Sequence, residues 1–343
     1  MLKLTENSKI YIYCTAGVVT GGSELLHQLA SFLRDNGRNS YMVYYGVDAH
    51  VVPEDYKCYN IVTSEEVEDN SNNVEVFIES QFDWINRNKN TQKFLWWLSV
   101  DNLYYSSGRY LSVYDYWRFD KKYALRILKG RLHQLIFQRK NVFKNTFSLK
   151  QLSQKHILTG YQSEYGHFFL KKEGFKELVG LKDYINDEYL SSFSTSNKED
   201  IVVYNPRKGI EYTRKLIQLS PDIKWVPLQN MSRKELIETI RKAKVYIDFG
   251  NHPGKDRIPR ECAASGCCVI TGSRGSAAYF EDVPILGKYK FDECKASMHD
   301  IIKTIKETLR NYDTCIEDFE YYRRSISQEK QEFENQIRLI FAL

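Results

Sequence analysis

Hydrophobic residues recur along this chain in two alternating patterns. Short runs rich in β-branched and aromatic residues, such as 10–15 (IYIYCT), predict buried strands. Longer segments with leucine or isoleucine three and four positions apart, such as 23–36, predict helices packed by one face. Strands are predicted at 10–15, 41–45, 57–62, 74–79, 93–98, 155–158, 177–181, 201–204, 224–226, 245–249 and 268–271. Helices are predicted at 23–36, 162–174, 209–219, 232–243, 258–265, 296–309 and 316–341.

Strands and helices alternate through both halves of the chain, which predicts an α/β fold with parallel sheets. A polar, serine-rich stretch at 191–198 is interpreted as a linker between two domains. We therefore expect a Rossmann-like domain over 1–190, a second one over 191–320, and a closing helical segment over 321–343. No G-x-G-x-x-G fingerprint follows the first strand, so the sequence does not indicate dinucleotide binding.

The composition is that of a globular protein with a small positive charge. Of the 343 residues, 42% are hydrophobic and 27% are charged, and the formal net charge is +5. The N-terminus has no apolar segment of the signal-peptide type, and no apolar run reaches the roughly 20 residues that span a bilayer. We therefore expect a cytoplasmic protein whose seven cysteines are reduced and mostly buried.

Two polar, glycine-containing loops follow strands that are predicted late in the chain. One, at 250–257, ends in Arg257, and the other, at 272–277, contains Arg274. In an open parallel sheet, ligands bind outside the carboxyl ends of the strands, where both loops would lie. Small residues let backbone N–H groups approach an anion, and the two arginines supply charge. The loops predict an anion site, and the alternative is two ordinary loops with solvated charges.

The sequence around Glu261 is similar to a known glycosyltransferase motif. Glu261 is followed by 263–270 (AASGCCVI) and by the glycine-rich stretch 272–276. This segment resembles the donor half of GT-B glycosyltransferases of the retaining group called family 4. The resemblance implies two Rossmann-like domains facing across a cleft, with 1–190 on the acceptor side and 191–320 binding the nucleotide-sugar, and a C-terminal helix that returns to the first domain. It also implies sugar transfer from a nucleotide-sugar with retention of configuration, without a metal or a cofactor.

The resemblance further implies which residues bind the donor. In the family, the matching glutamate holds the ribose hydroxyls of the nucleotide, and this role falls to Glu261. The family usually has a second glutamate eight residues earlier, near the transferred sugar, but Pro253 stands there, so that role is not carried over. The full set implied for donor binding is Gly22, Asn205, Arg207, Lys208, Gly254, Arg257, Glu261, Arg274, Gly275 and Ser276.

Two residues are candidates for catalysis. Lys208 matches the lysine of a Lys-Gly pair that retaining GT-B enzymes carry, and its ammonium would neutralise the diphosphate leaving group. A cation at a helix start opposes the helix dipole, which favours an anionic ligand over a solvated helix start. Asp101 follows the predicted strand 93–98 and either contacts the acceptor or caps a turn. Gly22 lies in a Gly-Gly-x-Glu segment that either faces the cleft, as in the family, or forms a structural turn.

Residues 117–144 differ from the rest of the chain in their charge, with nine basic residues and one acidic residue. Five apolar residues recur within this segment at spacings of three and four, namely Leu125, Leu128, Leu132, Leu135 and Ile136. This pattern is typical of basic helices that lie on anionic membrane surfaces. One alternative is a helix packed on its own domain with a basic outer face. Nucleic-acid binding is the other, and we expect no nucleic-acid partner because no nucleic-acid motif is present.

Together these features predict a hexosyltransferase-type enzyme that moves a sugar from a nucleotide-sugar to a glycan or lipid-linked acceptor. The acceptor class and the inner face of the cell membrane follow from the resemblance to bacterial enzymes of surface polysaccharide synthesis. Two alternatives stay open. One is a nucleotide-sugar epimerase, which shares the GT-B architecture. The other, motivated by Pro253, is a GT-B-like protein that binds nucleotide without catalysis as the partner of an active transferase.

Overall fold

The computed structural model describes residues 1–46, 51–106, 111–139, 146–191 and 193–343. The chain divides into two compact units, of which the first comprises Met1–Gln162, Gly166–Lys182 and Glu334–Leu343. The second unit comprises Ser163–Tyr165 and Asp183–Phe333. The change of unit between Lys182 and Asp183 therefore falls before the boundary predicted at residue 190. One residue of the predicted linker, at position 192, lies outside the described residues.

The first unit is built on a six-stranded parallel sheet. Its strands are β1 (Lys9–Thr15), β2 (Asn39–Tyr45), β3 (Val74–Ile78), β4 (Gln92–Trp97), β5 (Leu158–Tyr161) and β6 (Leu178–Gly180). Its helices are α1 (Gly21–Asp35), α2 (Val100–Ser106), α3 (Val113–Phe119), α4 (Lys121–Phe137), α5 (Leu149–Ser153) and α6 (Glu164–Lys172), whose first two residues are grouped with the second unit. The strand order is β2-β1-β3-β4-β5-β6, and every neighbouring pair is parallel. This is the order expected of a doubly wound α/β domain.

The start of helix α1 differs from the prediction in its cap. Thr20, not Ser23, is the N-cap residue, because Thr20 has extended backbone angles and its side chain accepts a hydrogen bond from the backbone N–H of Ser23. Gly21 and Gly22 are the first residues of the helix rather than part of the loop before it.

The strand predicted at 57–62 is wrong. Residues 57–59 belong to a short 3₁₀ helix, Glu54–Tyr59, whereas 60–62 have no regular structure and precede an isolated bridge between Thr63 and Met42. Tyr56 is buried with its ring centroid 4.1 Å from that of His27 on α1. A tertiary contact of this kind overrides the local strand preference of aromatic residues.

The basic segment forms two helices instead of one. Asp120 ends α3 and caps α4, accepting a hydrogen bond from the backbone N–H of Tyr123. The face of α4 that packs on the unit contains Ala124 and Arg131, and the guanidinium of Arg131 donates to the carbonyl oxygen of Leu111 (2.6 Å). The predicted leucine stripe is largely exposed, so it does not form the packed face. Lys140 and Lys144 of this segment lie outside the described residues.

The second unit is built on a five-stranded parallel sheet. Its strands are β7 (Glu199–Tyr204), β8 (Lys224–Pro227), β9 (Ala243–Asp248), β10 (Cys268–Gly272) and β11 (Lys290–Phe291). Its helices are α7 (Asp187–Leu190), α8 (Ile210–Leu219), α9 (Arg233–Lys242), α10 (Arg257–Ala264), α11 (Met298–Arg310), α12 (Tyr312–Cys315) and α13 (Glu320–Phe341), whose last residues are grouped with the first unit. The strand order is β11-β10-β9-β7-β8, and every pair is parallel.

Several local predictions are confirmed. Ser232 and Glu235 form the expected capping box at the start of α9. All seven cysteines are free thiols, and Cys267 and Cys268 are buried in the core of the second unit. Within the described ranges, no helix combines the length and the apolar character needed to cross a bilayer.

Candidate functional site

The order of strands in the second unit reverses between β7 and β9. β8 lies on one side of β7, whereas β9, β10 and β11 follow on the other side, so the connections leave these two strands in opposite directions. A crevice opens outside the carboxyl ends of the strands at such a reversal, and ligands of open α/β sheets bind there. Asn205, Arg207 and Lys208 directly follow β7, and residues 249–256 directly follow β9.

The loops after β7 and β9 pack against each other without a side chain between them. Gly209 has a φ of +55°, and a Cβ built on it would lie 1.1 Å from the carbonyl oxygen of Phe249. A Cβ on Gly250 would in turn lie 2.9 Å from the backbone nitrogen of Gly209. This close approach holds Lys208, the residue before Gly209, next to the loop that follows β9.

The loop after β10 is joined to the loop after β9 by hydrogen bonds. The backbone N–H of Ser276 donates to the carbonyl oxygen of His252 (2.9 Å), and the Ser276 hydroxyl donates to that of Gly254 (2.6 Å). Gly275 has a φ of +60°, and a Cβ there would lie 2.0 Å from the His252 oxygen. The two loops are therefore joined at Gly254, Gly275 and Ser276, which shape the site through their backbone contacts.

A chain of polar side chains runs from the core of the second unit to Lys208. The Tyr246 hydroxyl donates to Asp248 Oδ2 (2.7 Å), and Asp248 Oδ1 lies 3.7 Å from His252 Nε2. His252 Nδ1 lies 2.9 Å from Asp256 Oδ2, although neither contact of the ring is aligned as a hydrogen bond. The ammonium of Lys208 donates to the same Asp256 oxygen. Lys208 is thus held in place by an acidic partner within its own unit.

The protonation states of the side chains in this cluster are set by burial and by their contacts with one another. Burial works to lower the pKa of His252, but the neighbouring carboxylates of Asp248 and Asp256 outweigh it and raise that pKa. Burial raises the pKa of Asp248. Burial also works to raise the pKa of Asp256, but contacts with His252 and Lys208 outweigh it, so that pKa is lowered. Asp256 is therefore an ionised carboxylate between two groups that favour positive charge.

Asp248, His252 and Asp256 also form a group that could supply ligands to a metal ion, because their ligand atoms lie within 4.8 Å of one another. The two ring nitrogens of His252 face different carboxylates, however, and a metal ion takes only one nitrogen of an imidazole ring. The ammonium of Lys208 adds a further positive charge at Asp256. The arrangement fits an imidazolium between two carboxylates better than a metal ion. The expectation that no metal takes part stays a prediction.

The predicted donor-binding arginines differ in their partners. Arg257 approaches Asp183 (3.4 Å) and donates to the carbonyl oxygen of Tyr184 (3.2 Å). Arg274 forms an ion pair with Glu293. The side chain of Arg207 is exposed. An anionic ligand could therefore contact Arg207 without displacing a partner that this structure shows. Arg257 and Arg274 already face carboxylates, so each would share its positive charge between that carboxylate and the ligand.

Glu261 lies in the second turn of α10 and is largely buried. The residue before it, Arg260, is completely buried and donates to both carboxylate oxygens of Asp183 (2.8 Å each) and to Glu329 (2.7 Å). This buried ion cluster fixes α10, and with it Glu261, in the second unit.

Gly22 and Asp101 belong to the first unit. Gly22 lies in the first turn of α1, where a Cβ would make ordinary contact with Leu98 at 3.6 Å. Asp101 lies in the first turn of α2 and is buried. The other predicted site residues belong to the second unit.

His252, Asp256 and Asp183 were not predicted from the sequence as site residues. A histidine and an aspartate four positions apart in a glycine-containing loop were visible signals for the first two. Nothing local marks Asp183, which is 77 residues from its partner Arg260 in the sequence.

No protein-family model matches this chain, and no curated protein matches it in sequence. Solved structures do match its fold. Sucrose-phosphate synthase from Thermosynechococcus elongatus superposes with a TM-score of 0.62 at 11% identity, over 98% of each chain. Anabaena Alr3699/HepE in complex with UDP-glucose gives a TM-score of 0.58 at 11% identity, over 97% of this chain and 99% of that one.

WaaG, a glycosyltransferase involved in lipopolysaccharide biosynthesis, gives a TM-score of 0.53 at 11% identity, over 96% of this chain and 99% of that one. Similarity at this level of identity defines the fold. The chain therefore has the GT-B fold of these glycosyltransferases, with two parallel-sheet α/β domains, which confirms the predicted fold class.

Proposed function

We propose that this protein is a glycosyltransferase that moves a sugar from a nucleotide-sugar donor to an acceptor. The observation that carries the proposal is the reversal of strand order between β7 and β9, with four of the predicted donor residues, Asn205, Arg207, Lys208 and Gly254, in the loops that follow these strands. The GT-B fold supports the same reaction class. The similar structure that holds UDP-glucose supports a nucleotide-sugar as the donor.

In this proposal Lys208 stabilises the diphosphate as the glycosidic bond breaks. Negative charge grows on the leaving group in the transition state, so a fixed ammonium there lowers the barrier more than it tightens donor binding. The ion pair with Asp256 supports this role, because it holds the ammonium of Lys208 before the donor arrives. Arg207, which is exposed, supplies a second charge. Glu261 accepts hydrogen bonds from the ribose hydroxyls.

We further propose that transfer retains the anomeric configuration and needs no metal ion. The resemblance of 261–276 to the retaining group supports retention. The cations at positions 207 and 208 support metal independence, because they can neutralise the diphosphate charge that a divalent ion neutralises in other enzymes. We propose hexose transfer to a glycan or lipid-linked acceptor of surface polysaccharide synthesis, again on the resemblance to bacterial enzymes.

A second proposal concerns the surface of helix α4, which we infer to lie on an anionic membrane. Leu125, Leu132 and Ile136 are exposed (46%, 41% and 65%) and lie one or two turns apart on the outer side of the helix. Exposed Lys121 and Lys129 flank this stripe. Apolar side chains bordered by cations match a bilayer interface, where acyl chains lie beneath anionic headgroups. Such a surface would place the enzyme beside a lipid-linked acceptor.

The proposed reaction is tested by a thermal-shift screen against UDP-, GDP-, ADP-, CMP- and dTDP-linked sugars. A donor at 100 times its Kd should add about 2.7 kcal/mol to the free energy of unfolding. The stabilising donor is then incubated with the protein, and free nucleotide and sugar products are followed by NMR. Release of the nucleotide from the sugar, as nucleoside diphosphate or, from a CMP-sugar, as CMP, supports a transferase.

The alternatives give different results in the same two measurements. An epimerase would invert a carbon of the sugar while the nucleotide stays attached. A binding partner without catalysis would be stabilised by the donor and leave it intact even with acceptor present. If no nucleotide-sugar stabilises the protein, the proposed function is wrong.

A further inference from the structure

His252 is a completely buried histidine whose ring lies between two carboxylates of the second unit. Its Nε2 lies 3.7 Å from Asp248 Oδ1 at the end of β9, and its Nδ1 lies 2.9 Å from Asp256 Oδ2 just before α10. A neutral imidazole ring has one N–H group, so it could offer a proton to only one of the two carboxylates. A charged ring has an N–H group at each nitrogen and therefore suits both partners.

Other charged groups act on the same ring. The ammonium of Lys208, after β7, donates to Asp256. Glu293, after β11, acts on His252 through its charge and forms an ion pair with Arg274. Burial and Lys208 work to lower the pKa of His252, but the two carboxylates beside the ring outweigh them and raise that pKa. The balance of these groups favours the charged ring.

The ring and the ammonium of Lys208 share one oxygen atom, because His252 Nδ1 and Lys208 Nζ both contact Asp256 Oδ2. If the ring were neutral, Lys208 and Asp256 would form a pair without net charge, which attracts a diphosphate only weakly. A charged ring gives these three side chains together a net positive charge, and Asp248 stabilises that charge from the other side of the ring. Asp256 then holds Lys208 in place without cancelling its attraction for an anion.

We propose that His252 is a positively charged positioning residue, which offsets the charge of Asp256 and so keeps the ammonium of Lys208 available to a diphosphate. The inference rests on the proposed glycosyl transfer, since it assigns the diphosphate to the nucleotide-sugar donor. The ring acts through Asp256 and Lys208 and need not touch the donor. Because the pKa of His252 is raised in the folded protein, the charge is present below that raised pKa and is lost as pH rises through it.

Calorimetry with inorganic pyrophosphate in the presence of EDTA measures this role before the donor is known. His252→Gln replaces the ring by a neutral side chain with hydrogen-bonding groups, and should weaken pyrophosphate binding about tenfold at about pH 7. The ratio between the wild-type and His252→Gln affinities should fall towards one at alkaline pH, because the wild-type ring loses its charge there. The ionisation of pyrophosphate itself cancels in this ratio.

A double-mutant cycle shows whether His252 acts through Asp256. In an Asp256→Asn background, His252→Gln should change the pyrophosphate affinity less than about twofold, because the charge that the ring offsets is already absent. His27→Gln is the matched control, since His27 is also completely buried but lies in the first unit, where its ring contacts Ser23 and Tyr44. It should leave pyrophosphate binding unchanged.

NMR of the histidine ring nitrogens tests the inference even if His252→Gln does not fold. In the wild-type protein, one ring should stay protonated at both nitrogens above the ordinary histidine pKa of 6.5, and its signals should move when pyrophosphate is added. The inference is overturned if no ring behaves in this way or if the affinity ratio does not change with pH. It is also overturned if His252→Gln has the same effect with and without the Asp256 carboxylate.

Failure here is distinguishable from failure of the proposed reaction. If Lys208→Ala weakens pyrophosphate binding but His252→Gln does not, this inference alone is wrong. If both substitutions weaken pyrophosphate binding but no nucleotide-sugar stabilises the protein, the role of His252 in anion binding is supported and its assignment to a sugar donor is overturned.

Discussion

Gly209 and the carbonyl oxygen of Phe249 are so close that a Cβ on Gly209 would lie 1.1 Å from that oxygen. This contact fixes the loop that carries Lys208 against the loop that carries His252 and Asp256. Gly209 also has a φ of +55°, which side chains disfavour. We expect Gly209→Ala to lower the free energy of unfolding by more than about 4 kcal/mol, measured in urea.

The variant Gly37→Ala measures the cost of a left-handed backbone alone, without a steric overlap of the new Cβ. Gly37 also has a positive φ, of +81°, but apart from its own chain neighbours no described residue lies within 4 Å of the place that a Cβ would take there. Its substitution should cost only the left-handed penalty of about 1–2 kcal/mol. Equal costs for the two variants would show that the contact with Phe249 does not restrict position 209.

Lys208→Ala should lower kcat/KM for the donor that the screen identifies by roughly 10²–10³, the scale for one preorganised charge stabiliser. Donor affinity should fall less, because the charge on the diphosphate grows as the bond breaks. Steady-state kinetics and calorimetry measure the two effects separately.

Arg207→Ala is the matched variant, since it removes the neighbouring cation. It should cost less than Lys208→Ala, because Lys208 is the residue that Asp256 holds in place. A larger cost at Arg207 would assign the leaving-group contact to that residue. Wild-type turnover in Lys208→Ala would remove Lys208 from the reaction.

Glu261→Ala should weaken nucleotide binding by the loss of two hydrogen bonds to a carboxylate, each about 1.5–3 kcal/mol. Calorimetry on the folded variant measures this loss. Glu281→Ala is the control, because Glu281 is an exposed glutamate of the same unit. Unchanged affinity in Glu261→Ala would place the ribose elsewhere.

Asp183→Asn should lower the free energy of unfolding by about 3–5 kcal/mol, because it leaves the buried guanidinium of Arg260 without its main partner. Burial works to raise the pKa of Asp183, but Arg260 and Arg257 outweigh it and lower that pKa to about 2. A lowered pKa stabilises the folded state above the unfolded value of 3.8 and loses this effect as pH falls through about 2.

The difference between wild type and Asp183→Asn in urea unfolding should therefore be constant from neutral pH down to about 4 and shrink below it. Asp187→Asn removes an ion pair with Lys330 that is largely exposed, and should cost less than about 1 kcal/mol. A similar cost for both variants would contradict a structural role for the buried cluster.

Binding to liposomes should rise with the fraction of anionic lipid and fall with salt. A Lys121/Lys122/Arg126 triple alanine variant should lose about 3 kcal/mol of membrane affinity, at about 1 kcal/mol per cation. A Lys171/Lys172/Lys176 triple alanine variant removes the same charge from exposed positions elsewhere in the first unit and is the control. Co-sedimentation that is equal in both variants, or independent of salt, would show that α4 does not lie on the membrane.

Local patterns in the sequence were sufficient for most of the fold. Buried strands and amphipathic helices are defined by residues close to one another in the chain, so their type and order could be read directly. The 57–62 segment was predicted wrongly, because the packing of Tyr56 against His27 decides its structure. The short helices α2, α5, α7 and α12 and the two-residue strand β11 were not predicted, because such short segments carry little periodicity. The capping box of Ser232 and Glu235 was predictable because both partners lie within one helical turn.

The site was only partly predictable for the same reason. The motif around Glu261 and the cations at 207 and 208 were visible, since they are properties of short segments. The residues that pair with these side chains and set their charge were not visible, because they are distant in the sequence.

The sequence by itself determined the alternation of strands and helices, the class of fold and the segments that carry the candidate donor residues. Tertiary structure decided that Lys208 pairs with Asp256, that Arg260 is buried with Asp183, and that the leucines of α4 face outward. It also buried His252 between Asp248 and Asp256. Electrostatic partners and burial depend on which distant strands become neighbours, and that pairing is a property of the whole sheet.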